Sequence, residues 1–137
     1  QSGLMDACAK VSGDILKEKN SIIDEFNNFL KNPSEIEKLF IKDTKEHILW
    51  VLLILMWWHR DMLIFKETGQ QNLLANKDRI NDLIQRADNY SSSRLGQIIT
   101  VISKTLQLMR QTNVNAKLAL TVMAADILNA SIDVNAR

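Results

Sequence analysis

Residues Ile48-Leu49-Trp50-Val51-Leu52-Leu53-Ile54-Leu55-Met56-Trp57-Trp58 are eleven consecutive apolar positions, and they restrict the chain to few architectures. A membrane-spanning helix needs about 20 such residues. This run stops at His59-Arg60-Asp61, so it reads as an element buried nearly all round inside a protein. Its β-branched residues make a buried strand conceivable. However, the apolar pattern continues through Met62, Leu63, Ile64 and Phe65, longer than an ordinary strand. One proline and four glycines in 137 residues leave few chain breaks, and an apolar fraction of 46% gives core enough for a single domain. The expectation is a central helix in an all-α fold.

The flanking segments support that reading. Ile15, Ile22, Phe26, Phe29 and Leu30 recur at helical spacing over residues 14–31, and Asn32-Pro33 ends that helix because proline disfavours helical geometry in the residue before it. Ser34-Glu35-Ile36-Glu37 has capping-box spacing, with Ser34 as the cap of a short helix through Phe40. Asp43 or Thr44 caps the central helix and Gly69 stops it. Asn76 is placed to cap a helix presenting Ile80, Leu83, Ile84 and Ala87 on one face. Tyr90-Ser91-Ser92-Ser93 makes a break and a new cap. Leu95, Ile98, Ile99, Ile102, Leu106 and Met109 then form an amphipathic stripe. Asn113 and Asn115 are assigned as caps around the next break, before a last helix whose apolar face carries Leu118, Val122 and Ile127. Residues 131–137 are expected to fray. The sum is a compact bundle of about six or seven helices with no sheet.

Few residues offer chemistry. There is no GxxxxGK[ST] or GxGxxG loop to cradle a nucleotide. His47 and His59 lie 12 residues apart, roughly 18 Å along one helix, too far to share a metal. His59-Arg60-Asp61 imitates a kinase catalytic triplet, but inside a helical pattern it lacks the loop, the downstream Asn and the nucleotide cradle. No nucleophile, base and orienter come together, so no catalytic residue, cofactor or metal site is assigned. Cys8 is alone, which excludes an internal disulfide and suits a reducing cytosol. The net charge of +1 gives no field favouring nucleic acid or an anionic membrane. The distribution is mildly polar: residues 1–47 carry seven Lys/Arg against nine Asp/Glu, and residues 94–137 five against two. Trp50 and Trp57, one heptad apart, share a helix face, whereas Trp58 points about 100° away. Core packing is the first reading of this cluster, and an interface role for one tryptophan is compatible with it.

The stretch Trp58-His59-Arg60-Asp61-Met62-Leu63, then Lys66, Gly69 and Leu74-Ala75-Asn76-Lys77-Asp78, resembles the C-terminal domain of the bacterial DNA polymerase III delta-prime subunit. That family typically shows Trp-Tyr-Arg-Asp-x-Leu, a Lys, a Gly and an Asn-x-Asp helix start. Leu106 followed by Asn113-Val114-Asn115-Ala116-Lys117-Leu118-Ala119-Leu120 resembles its closing Asn-Val-Asn-x-x-Leu-x-Leu helix. The likeness covers about residues 36–128. His59 stands where a Tyr is usual, and Thr121 where an acidic residue often follows.

The resemblance implies a non-catalytic collar domain of a clamp loader, in which five subunits each contribute a helical C-terminal domain to a ring. It implies a cytoplasmic location and other clamp-loader subunits as partners. It implies no direct contact with nucleic acid, no membrane and no small-molecule substrate. On this reading residues 1–13 are the end of a preceding lid, residues 14–130 the collar domain and residues 131–137 a frayed tail. Trp57, Trp58, Arg60, Asp61 and Lys66 are then candidates for subunit contact or for tying helices together, with Arg60 and Asp61 acting as a pair at a helix end. Two readings stay open beside it: an unrelated helical adaptor, and an enzyme using His47 or His59 in a bundle cleft.

Overall fold

The computed structural model describes the backbone of residues 2–40 and 44–136, and the side chains of residues 13–39 and 44–129. Among the described residues there is no strand: five α-helices and three short 3-10 segments account for the regular structure. In order these are α1 (Ser2–Lys31), a 3-10 helix (Pro33–Phe40), α2 (Lys45–Thr68), 3-10 turns at Gln71–Leu73 and Lys77–Arg79, α3 (Ile80–Ala87), α4 (Ser92–Gln111) and α5 (Ala116–Ala136).

The apolar run is the hub. It lies in α2, which packs against α1, α3, α4 and α5. By length and composition alone α2 would pass as a membrane span, but half of its most apolar window is buried inside the bundle. Ile48, Val51, Leu52, Leu55, Trp58 and Met62 form its buried face. Ile23, Phe26 and Phe29 of α1 close one side of the core, and Leu95, Ile98, Ile102, Leu106 and Met109 of α4 close another. The α4 stripe follows the expected period, with Ile99 half-buried at its edge.

Four of the sequence-read boundaries rest on local chemistry that the structure displays. Thr44 Oγ1 accepts the His47 amide at 3.2 Å, opening α2, whereas Asp43 lies outside the described residues. Gly69 closes α2 with φ 69°, its amide donating to the Phe65 carbonyl, a left-handed conformation that suits a residue without Cβ. Ser91 Oγ accepts the Arg94 amide at 3.0 Å and starts α4. Asn115 Oδ1 accepts the Leu118 amide at 2.9 Å and starts α5.

Other expectations are corrected. The first helix begins earlier than residue 14: α1 is helical from Ser2 to Lys31. The Cys8 side chain lies outside the described residues. Ser34 is not a cap, because the short helix already begins at Pro33; the Ser34 hydroxyl instead donates to Asn32 Oδ1 at 2.8 Å. Proline in the first helical position needs no partner for an amide it lacks. Asn113 is not a cap either. Helix α4 ends at Thr112, whose amide and hydroxyl both donate to the Leu108 carbonyl, and no residue other than glycine has positive φ among the described residues.

The last helix is rotated relative to the expectation. Ala119, Leu120, Met123, Ala124 and Ile127 face the core, and Leu118 and Val122 face solvent. The two asparagines should separate cleanly in urea denaturation. Asn115→Ala is expected to cost about 1 kcal/mol through loss of its cap. Asn113→Ala, at an exposed site without a cap bond, should stay within about 0.5 kcal/mol.

Candidate protein-interaction surface

Successive residues of a helix point about 100° apart, so the C-terminal half of α2 sends its candidate residues to opposite destinations. Trp58 points inward and is 1% exposed, with the Arg79 guanidinium 5.3 Å from its ring centroid. Asp61 also points inward and is 1% exposed. Its Oδ1 accepts the Ala75 amide at 3.1 Å; its Oδ2 accepts the Asn76 amide at 2.8 Å and the Asn76 side-chain amide at 2.7 Å. Asp61 thus fastens the link between α2 and α3 onto α2. Asn76 is spent on this contact and places no side-chain bond on the turn that follows it. Lys66 ties the same two helices at another point, donating to the Ala87 carbonyl at the end of α3 at 3.1 Å, where a cation also suits the helix dipole.

Arg60 is no partner of Asp61. It is exposed, and its guanidinium lies 4.7 Å from the Trp57 ring centroid. The two residues occupy different faces of α2, about two turns before its end. Trp57 is 46% exposed, and beside it the α1 residues Ile15 and Leu16 are 48% and 42% exposed. With half-buried Trp50 and Leu53 these side chains line a shallow apolar groove of about 400 Å³ between α1 and α2. The sequence placed Ile15 on a core face; the fold leaves it at the rim of this groove. Tryptophan and arginine are the side chains that most often anchor protein interfaces, and here the two are stacked on the surface beside this groove.

Two further side chains were not singled out by the sequence. Arg79 joins three helices: it donates to the Asn20 carbonyl of α1 at 3.2 Å and pairs with Asp24 at 2.8 Å and Asp82 at 2.5 Å, while covering Trp58 of α2. Its spacing to Asp82 was visible; its reach to Asn20 and Asp24 was not. Lys19 reinforces the same junction through Asp78 at 2.6 Å.

His59 and His47 are separated in environment as well as in sequence. The His59 ring is fully buried, edge-on to Phe26 at 5.3 Å and to Tyr90 at 6.4 Å. Its Nδ1 donates to the Leu55 carbonyl at 2.6 Å, and its Nε2 has no hydrogen-bond partner. Burial pushes its pKa down to about 4; the Leu55 bond opposes this and the nearby Arg94 charge adds to it. His47 sits near the surface with Nδ1 3.6 Å from Glu18. Among the described residues, no three His, Cys, Asp or Glu side chains are grouped to hold a metal ion.

Comparison with curated proteins and with solved structures finds no match. A family model described as DNA polymerase III, delta subunit, C terminal, does match, over residues 14–128. Its description names delta, where the motifs of the sequence were likened to delta-prime. The match spans α2 to α4 and the core-forming parts of α1 and α5. The chain therefore belongs to the family of C-terminal domains of the DNA polymerase III delta subunit, a clamp-loader subunit.

Proposed function

We propose that this chain is the collar domain of a delta-prime subunit, a non-catalytic element that holds its subunit in the clamp loader through contacts with neighbouring subunits. The observation that carries the reading is the exposed Trp57–Arg60 stack beside Ile15 and Leu16, within a domain of the clamp-loader family. An apolar groove with such anchors, exposed in the isolated chain, is what a neighbouring subunit would cover. The delta-prime assignment draws on the ordered motifs from Trp58 to Asp78 and from Leu106 to Leu120. In this role the domain works in the cytoplasm, on protein partners and not on nucleic acid, and the buried His59 serves packing.

Size-exclusion chromatography of the chain mixed with purified clamp-loader subunits tests the reading. Co-elution at about micromolar concentration is expected, the range of a modest specific interface. Trp57→Ala should weaken that association about tenfold or more while leaving thermal stability nearly unchanged, because the ring is largely outside the core. An excess of the chain should displace delta-prime from an assembled loader. Displacement of delta instead would replace the delta-prime assignment, and association with no subunit would end the collar reading.

A further inference from the structure

Given the collar reading, on which this step rests, we propose that the outward side of α2 seats a single helix of a neighbouring subunit. That helix lies antiparallel to α2 and carries small apolar residues between an acidic first turn and a basic last turn. Glu46, Trp50, Leu53, Trp57, Arg60 and Ile64 follow one another at spacings of four, three, four, three and four residues, the pattern of a helix–helix seam. Successive positions turn by about 100°, so this row faces away from the buried side formed by Val51, Leu55, Trp58 and Met62. Trp57 and Arg60 are exposed, and Trp50, Leu53 and Ile64 are half-buried. Between Glu46 and Arg60 the outward side holds no polar residue. A surface helix is ordinarily polar there, and a helix apolar all round is ordinarily covered all round.

The chemistry of the occupant follows from the two charges on the row. Glu46 and Arg60 are exposed, and neither has an ion pair among the described residues, whereas Lys19 in the same groove is spent on Asp78. They lie about 21 Å apart along α2, with the apolar stretch between them. A helix laid along the row meets both only with a carboxylate near Arg60 and a cation near Glu46. Helices favour acids in the first turn and bases in the last, so the antiparallel direction supplies that order. Size fixes the middle. Trp50 and Trp57 fill the seam from this side, and facing positions pack when large meets small. A second copy of α2 laid antiparallel also matches Glu46 with Arg60, but it brings Trp50 almost level with Trp57 twice over. The occupant therefore comes from a different chain and sets alanine- or glycine-sized residues against the two rings.

Isothermal titration of the chain against each purified clamp-loader subunit reads the two charges. Glu46→Lys and Arg60→Glu should each raise the dissociation constant about tenfold with helical circular dichroism unchanged, since each sets like charges together at one end of the seam. A photo-reactive benzophenone amino acid in place of Glu46 or of Arg60 locates the occupant. The two adducts should fall on one helix of one subunit, about 14 residues apart, with the adduct from position 60 nearer the N-terminus of that helix. Sedimentation of the chain alone at about 100 µM should give 15.7 kDa. Association with no subunit ends the collar reading and this inference with it. Association that Trp57→Ala weakens but both charge reversals leave unchanged overturns the helix alone and spares the collar. So do adducts on separate elements, adducts in the parallel order, or a mass of two chains for the chain by itself.

Discussion

Replacing Asp61 with alanine should lower the unfolding free energy by about 3 kcal/mol, while the adjacent Arg60→Ala changes it by less than about 0.5 kcal/mol. The asymmetry follows from which way each side chain points. Asp61 is buried and accepts three N–H donors from Ala75 and Asn76. Asn76 is itself 3% exposed, so its backbone and side-chain amides have no water to turn to once the carboxylate is gone. Each stranded buried donor costs about 1–3 kcal/mol. Part of that loss is offset because a buried carboxylate carries its own desolvation cost, which keeps the expectation near the lower end of the summed range. Arg60 rests on Trp57 in solvent and leaves nothing unpaired when removed.

Urea denaturation of the two variants measures this directly, and a double-mutant cycle identifies the partner. Asn76→Ala removes one of the three donors and should cost less than Asp61→Ala. In the double variant the cost should fall short of the sum by about 1 kcal/mol, since the two groups share a bond. Equal losses for Asp61→Ala and Arg60→Ala would contradict the assignment of Asp61 as the fastener of the α2–α3 link.

What the sequence disclosed depended on how far each interaction reaches along the chain. Thr44, Ser91 and Asn115 bond an amide three residues away, so residue type and position were enough to find them. Asn76 looked the same in sequence, yet its partner lies 15 residues back, and no local rule reveals that choice. The α4 stripe was legible because polar residues alternate with it and fix its phase. Helix α5 is apolar on most sides over residues 116–128, so the same periodicity left Leu118 and Leu120 equally eligible for the core, and packing against α4 settled it. Trp57 and Trp58 were both visible as large anchors, but only the fold shows Ile15 and Leu16 of α1 beside the exposed one. The groove is a tertiary feature.

Lowering the pH from 7 should destabilise the fold through His59 by about 2 kcal/mol at pH 5 and about 3 kcal/mol at pH 4. The sign comes from comparing proton uptake in the two states. In the folded chain the ring is fully buried and titrates at about 4; in the unfolded chain it titrates near the ordinary 6.5. Between those values the unfolded chain holds a proton that the folded chain refuses, so stability is complete above about 6.5, falls as pH drops through that window, and has lost its full share below about 4. The steepest slope is about 1.4 kcal/mol per pH unit. Among the described residues, Nε2 of His59 has no hydrogen-bond partner to take up the second proton of an imidazolium, and the charge on Arg94 opposes one. Carboxylates also begin to titrate at the acid end, Asp78 among them, because Lys19 and Asn20 hold its carboxylate below the usual range against its partial burial. His59→Phe separates the contributions. It keeps an aromatic ring between Phe26 and Tyr90 and removes the titration, so its urea midpoint should fall much less than that of the wild type between pH 7 and pH 5. Parallel losses in the two proteins over that interval would show that the buried imidazole is not the source of the acid sensitivity.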